Sequence, residues 1–271
     1  MHLKNVLHYL RIARKILLTS SPFQRLRLLN AYAKMLAQSF RISRLSLSVP
    51  PENLRERFLG LQVHFKSYPE LIQLFEEIFI RRVYDAQVET PLVVDCGSHI
   101  GISVLYFKTI YPECKIIAFE PEPNNFSILQ QTVETNRLQN VTLHNVALAD
   151  KTDEQFLANP ETTSLNWQLN HSAGRKVAVT THRLSAYIDQ PIGLLKMDVE
   201  GAEKLIINDL IETRKIDLVE TVVLEYHFDG QSLKDFSAIL ERVGFECHTE
   251  RSRSAPGATE MLLRARRPKA K

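Results

Sequence analysis

Apolar residues recur at two different periods along this chain, and the change of period divides it. Leu3, Val6, Leu7, Leu10, Ala13 and Leu17 keep helical spacing, and Leu26, Leu29, Ala33, Leu36 and Phe40 form a second stripe. Two amphipathic helices are therefore predicted over residues 2–42. Ser21-Pro22 between them reads as a helix cap followed by a first helical residue. Val49-Pro50-Pro51 ends the pattern. Residues 61–65 alternate like a strand, and residues 68–84 return to helical spacing. From about residue 90 strands and helices take turns. Strands are predicted at 92–95, 115–119, 141–146, 193–198 and 219–226, and helices at 101–110, 123–136, 202–212 and 231–243. Two last strands, near 245–250 and 259–264, have a short Gly-containing connection that suits an antiparallel hairpin. Such alternation predicts an α/β fold with a parallel sheet covered by helices on both faces. Residues 151–190 interrupt it with a short strand, a polar loop holding Trp167, and the strand Lys176-Val177-Ala178-Val179-Thr180. Three segments result: a helical extension at 1–48, a connecting segment at 49–89 that packs on the core, and a principal domain at 90–271.

Length and composition narrow the class. At 271 residues the chain can bury one large core with a small extension. Its 44% hydrophobic and 24% charged content is that of a globular protein. No apolar run approaches the length of a spanning helix, and no secretory signal is expected. Cys96, Cys114 and Cys247 are odd in number and far apart, which favours neither a disulfide framework nor a zinc site. A reducing, cytoplasmic location is expected, with peripheral membrane contact as an addition to it. The net charge of +3 hides an asymmetry. The first fifty residues hold nine Lys and Arg and no acid, the first acid being Glu52, which leaves −6 for the remainder.

The first candidate site is Val93-Val94-Asp95-Cys96-Gly97-Ser98-His99-Ile100-Gly101. A short β-branched run ends in a carboxylate, and glycines follow before a helix. A second buried strand, residues 115–119, ends at Glu120. In a βαβ unit an acid in that place accepts hydrogen bonds from ribose hydroxyls. A dinucleotide fingerprint would need glycine near positions 95, 97 and 100, whereas only Gly97 and Gly101 are present, behind an acid. No pyrophosphate cradle is evident, and the carboxylate suits a cationic ligand. S-adenosylmethionine carries an ammonium, a sulfonium and a ribose diol that such a site can meet.

The second candidate is Lys196-Met197-Asp198-Val199-Glu200-Gly201-Ala202-Glu203, where an apolar strand delivers three charged groups to its carboxyl end. Charges there cost desolvation unless they are paired or used. The simpler reading is that Glu200 and Glu203 only favour the start of the next helix through its dipole. The third is Glu225-Tyr226-His227, where period two puts Glu225 and His227 on one face. His227 suits a general base near neutral pH. A satisfied surface histidine is the simpler alternative.

In their order these motifs resemble the FkbM family of S-adenosylmethionine-dependent methyltransferases. The matching pieces are Asp95-Cys-Gly97-Ser-His99-Ile-Gly101, Glu120-Pro121-Glu-Pro, Asn145-Val-Ala147-Leu148-Ala-Asp150 and Lys196-Met-Asp198-Val-Glu200-Gly201-Ala-Glu203, across about residues 76–227. The resemblance implies a class I, Rossmann-like methyltransferase fold: a seven-stranded sheet with a terminal antiparallel hairpin. Residues 90–271 then form the cofactor-binding methyltransferase domain. It further implies that Asp95, Gly97 and Gly101 line the methionine end of the cofactor and that Glu120, with Pro121 beside it, takes the ribose hydroxyls. Asn145, Ala147 and Leu148 fall near the adenine, and Asp198 and Glu200 near the methyl group. Family members usually methylate hydroxyls, often on sugars or polyketide-type products. His99 stands where Asn is common, and Thr181-His182-Arg183-Leu184 replaces a frequent Thr-Leu-Asp, so no role passes to that stretch.

An alcohol acceptor must lose its proton, which asks for a base within hydrogen-bond reach. Asp198 is the first candidate and His227 the second, with Glu200 beside them. Asp198, Glu200 and Glu225 match no metal motif, and no metal is expected. The acceptor pocket is expected from residues 151–182 and part of the N-terminal region. Within 151–182, Ser164, Asn166 and Trp167 suit a sugar or another small hydroxylated molecule; Trp167 as a core residue of the insertion is the equal alternative. The basic helices admit three readings: a lid or homodimer element, a contact with an anionic membrane surface, or a transit segment. Nucleic acid is not expected as a partner, because aromatics are not interleaved with the basic residues. A cofactor-binding module without activity is the alternative to an enzyme.

Overall fold

The computed structural model describes residues 3–19, 22–44, 54–159, 168–169, 175–226, 233–251 and 261–268. Ser21, Ser164, Asn166, Trp167 and His227 lie outside them. Two helices open the chain, α1 (Leu3–Thr19) and α2 (Pro22–Arg44). A hairpin follows, β1 (Arg55–Phe58) against β2 (Leu61–His64). Its two-residue turn has positive φ at both Leu59 and Gly60, the handedness that matches strand twist. Helix α3 (Tyr68–Phe75) starts at Ser67, whose hydroxyl accepts from the Glu70 N–H, and has proline in its first turn.

The single helix predicted over 68–84 is not what forms. α3 passes into a π-helical turn, Glu76–Ile80. Arg81 N–H donates to Glu76 O, five residues back, and Val83 N–H donates to Glu77 O. Helical periodicity cannot separate a π turn from an α turn over so short a stretch.

The central sheet has the strands β3 (Leu92–Cys96), β4 (Lys115–Phe119), β5 (Val141–His144), β10 (Ile192–Met197), β11 (Val219–Tyr226), β12 (Glu246–Arg251) and β13 (Met261–Arg266). Their spatial order is β12-β13-β11-β10-β3-β4-β5. The five strands from β11 to β5 are parallel, while β13 runs antiparallel to both β11 and β12. This is the seven-stranded sheet with a terminal hairpin that the resemblance implies. β3 and β10 are buried along their whole length. Strands covered on both faces read as continuous apolar runs, which is why their limits were easy to predict. The helices α4 (Ile102–Ile110), α5 (Pro123–Thr135), α6 (Glu203–Glu212) and α7 (Leu233–Arg242) cover the faces.

The interruption builds a sheet of its own. β6 (Ala147–Leu148), β7 (Asp153–Asn159), β8 (Gln168–Leu169) and β9 (Arg175–His182) take the order β6-β9-β7-β8. The Thr181 hydroxyl closes its base, donating to Lys151 O and accepting from the Asp153 N–H. A short 3-10 turn, Leu184–Tyr187, leads into β10 and is pinned to α6. Asp209 there pairs with Arg183 at 2.6 Å and accepts from Ser185.

The N-terminal helices join the main core. Ile12, Ile16, Leu28, Tyr32 and Met35 belong to the same apolar cluster as Phe75, Phe79, Val93 and Leu105. Polar ties fix the attachment. Buried Glu76 accepts from the Tyr32 hydroxyl at 2.5 Å and lies 2.9 Å from His8 Nε2. Buried Glu56 pairs with Lys34 at 2.6 Å and accepts from the Tyr68 hydroxyl. Among the described residues, no helix is long and apolar enough to cross a membrane.

Candidate active site

In the parallel registers Asp95 stands beside Lys196 and Ala118, Cys96 beside Met197 and Phe119, and Met197 beside Leu224. The loops after β3, β4, β10 and β11 therefore leave one edge of the sheet together. That edge is where ligands bind in open α/β sheets.

The loop after β3 is held tightly. Gly97 and Ser98 N–H both donate to Phe119 O. Gly97 has φ +83°, and a Cβ there would lie 1.9 Å from the Asp198 carbonyl oxygen. Only glycine lets the two loops pass so closely. Gly101, at φ +90°, forms the N-terminus of α4. His99 between them also has positive φ and donates its N–H to Glu120.

Glu120 is almost fully buried at the tip of β4. One carboxylate oxygen accepts from His99 N–H at 2.9 Å, and the other from Glu122 N–H at 3.0 Å and more weakly from Asn125 at 3.5 Å. A carboxylate has about four acceptor positions, and these hydrogen bonds occupy three of them. Burial pushes the Glu120 carboxyl up to about 7, against the pull of these hydrogen bonds. Asn145 donates to Glu120 O at 2.8 Å and Pro121 O at 3.1 Å, so its amide fixes the turn that presents the acid. Next to it Phe119, His144 and Tyr187 form an aromatic cluster, with ring centroids 4.6–5.1 Å apart. Burial, with His182 nearby, pushes the His144 imidazole down. Ala147 and Leu148 are buried in β6, with their side chains in the apolar interior.

A charged network lies beneath the loops. Lys196 Nζ stands 3.0 Å from Asp95 Oδ1, donates to Gly97 O at 2.5 Å, and is 4.0 Å from Asp198 Oδ2. The other Asp95 oxygen accepts from the Ser103 hydroxyl at 2.6 Å. Asp95 is completely enclosed, so its carboxylate braces the loop from within. Burial alone would lower the Lys196 ammonium, but Asp95 and Asp198 reverse this and hold it above its ordinary value. Tyr84 completes the group. Its ring lies under Lys196 Nζ at 5.0 Å, and its hydroxyl reaches Asp198 Oδ2 at 3.2 Å and Glu225 Oε1 at 3.0 Å. Burial and the two carboxylates raise the phenol well above its usual range.

Asp198, with a side chain 31% exposed, is the member of this group that reaches the surface. Glu200 follows at φ +53° and borders a cavity of about 410 Å³ between the inserted sheet and α6. Asp150, Lys151, Gln155, Leu169 and Leu205 also line it. Asp95, Gly97, His99, Gly101, Glu120, Pro121, Asn145 and Asp198 thus share one edge. The placement of His227 is outside the described residues. Tyr84 is the residue that sequence reasoning missed. Its only signal was an aromatic at the end of an apolar helical run.

With this geometry in hand, comparison with known proteins is direct. The profile of the methyltransferase FkbM domain matches residues 95–247, more than half of the chain. Methyltransferase 1 of Beauveria bassiana is 29% identical over 217 residues, covering 70% of this chain and 87% of that protein. Methyltransferase sdnD of Sordaria araneosa is 28% identical over 231 residues, covering 71% of this chain and 89% of that one. The crystal structure of the FkbM methyltransferase from Methylobacillus flagellatus KT superposes with a TM-score of 0.50 at 15% identity. That match takes in 96% of this chain, which spans 59% of the bacterial one, and it shows a shared class I methyltransferase fold. The chain belongs to the family of the methyltransferase FkbM domain.

Proposed function

We propose that the chain is an S-adenosylmethionine-dependent O-methyltransferase whose acceptor is a hydroxyl of a sugar, a glycan, a glycolipid or a natural product. The observation that carries this reading is the pair of carboxylates at the tips of β4 and β10, the two strands that flank β3. Three hydrogen bonds leave Glu120 one of its about four acceptor positions, and Asp198 is partly exposed beside the glycine loop. The donor set fits the cofactor: Glu120 for a ribose diol, and the Gly97–Gly101 loop for the methionine end. When bound, the cofactor supplies an electrophilic methyl group.

The chain's own residues orient the acceptor and take its proton. Asp198 Oδ accepts the proton of the acceptor hydroxyl as that oxygen becomes nucleophilic. Lys196 and the Tyr84 hydroxyl hold the carboxylate in place. The cavity beside Glu200 takes the rest of the acceptor. Catalysis then rests mainly on alignment and exclusion of water.

The test combines calorimetric titration with S-adenosylhomocysteine and transfer of a labelled methyl group to a panel of sugars and hydroxylated polyketides. Asp198→Asn is expected to bind S-adenosylhomocysteine like the wild type while losing transfer. Glu120→Ala is expected to lose binding. Folded wild type that binds no S-adenosylhomocysteine would overturn the proposal.

A further inference from the structure

Eight large apolar side chains are exposed among the described residues, and six of them lie on α1 and α2: Leu7, Leu10, Leu17, Leu18, Leu26 and Phe40. Their concentration is the unusual feature, since single exposed apolar residues are ordinary. On α1 they form one face. Leu7, Leu10, Leu17 and Leu18 fall at helical spacing with Arg11 and Arg14 among them, all exposed. Ile12 and Ile16, on the opposite side, are buried against the core. The helix therefore has two apolar stripes, one of which the fold uses. The other is interleaved with arginines, and on α2 Arg41 and Arg44 flank Phe40 in the same manner.

We infer that this face docks on a bilayer surface carrying anionic lipid headgroups. Charge selects that occupant. The first 51 residues contain no acid. A second copy meeting this face across a two-fold axis would set arginine against arginine with no carboxylate between them. A nucleic acid offers phosphates to the arginines but nothing to four leucines. An anionic bilayer meets both needs: headgroup phosphates pair with Arg11 and Arg14, and the acyl boundary takes the leucines. The helix is tied to the fold on its other side, through His8 at 2.9 Å from buried Glu76 and through Ile12 and Ile16 in the core.

The test is co-sedimentation of the full-length protein with phosphatidylcholine vesicles, with and without phosphatidylserine, at low and high salt. Binding is expected only to the vesicles containing phosphatidylserine, and salt weakens it. A basic residue near an anionic surface contributes about 1 kcal/mol, so Arg11→Gln/Arg14→Gln lowers the partition coefficient about 30-fold. Leu10→Gln/Leu18→Gln lowers it at every salt concentration. Both pairs are exposed, so the melting temperature and S-adenosylhomocysteine binding stay at wild-type values. Wild type left in the supernatant with phosphatidylserine vesicles at low salt overturns the inference. So does binding by both variants at the wild-type level. Dimerisation or binding to a DNA duplex through Arg11 and Arg14, without vesicle binding, would give the face another occupant and overturn it as well.

Discussion

If Glu120 takes the ribose diol as proposed, cofactor binding depends on pH with a sign that can be worked out in advance. Its carboxyl titrates at about 7, against an ordinary value of 4.5. A ribose diol donates hydrogen bonds, so the ionised carboxylate is the form that binds. The apparent Kd is then the intrinsic Kd divided by the ionised fraction. That fraction is about one tenth at about pH 6 and about nine tenths at about pH 8. S-adenosylhomocysteine should bind about tenfold more tightly at the higher pH. Stability of the ligand-free protein should move the other way. The native carboxyl holds its proton to a higher pH than the unfolded one, so this contribution is complete below about pH 4.5 and is lost as pH rises through about 7. The assay is calorimetric titration across that range, paired with thermal melts without ligand. Glu120→Gln should bind weakly and flatten both profiles. A wild-type Kd that does not change between these pH values, or a Gln variant that keeps the slope, would refute the reasoning.

Other residues give equally direct tests. Lys196→Met strands Asp95 in a dry interior and should cost about 3–5 kcal/mol in urea unfolding. Adding Asp95→Asn should recover much of that loss. Gly97→Ala should prevent a native fold or abolish cofactor binding, because its Cβ meets the Asp198 carbonyl at 1.9 Å. Gly201→Ala, with nothing within 4 Å of its Cβ, should cost only the backbone strain of its positive φ, about 1–3 kcal/mol, in the same unfolding assay. Tyr32→Phe removes a donor from buried Glu76 and should lower stability by about 1–3 kcal/mol, with S-adenosylhomocysteine affinity unchanged.

What the chain reveals before folding follows from how each feature is encoded. The parallel strands were legible because a strand buried on both faces is a run of apolar residues closed by a charge, as at 92–96 and 192–197. The sharing of one edge by Glu120 and Asp198 was legible too, since parallel strands fix which ends coincide. Pairings across long separations were not. Tyr84 meets Asp198 over 114 residues, and no local pattern marks the contact. Asp95 looked like a group facing the ligand, yet its oxygens are engaged by Ser103 and Lys196, which the motif could not announce. Thr181 and Arg183 carried no expected role. They turn out to close the inserted sheet and to pin the 3-10 turn through Asp209. That sheet's edge strands, β6 and β8, are each two residues long, below the length at which alternation has meaning.

The π turn at Glu76–Ile80 has a consequence for how this chain can vary in length. A helix advances about 100° per residue. A π turn holds one residue more than the α turn it replaces and absorbs it within that turn, so the segment beyond keeps nearly the azimuth it would have without it. Removing one residue between 77 and 80 would restore an α turn and leave Tyr84 facing Asp198 and Glu225. The same deletion inside α4 or α5 would swing the rest of the helix through roughly that angle. The turn is therefore where this chain can lose a residue with the least disturbance to the group around Tyr84.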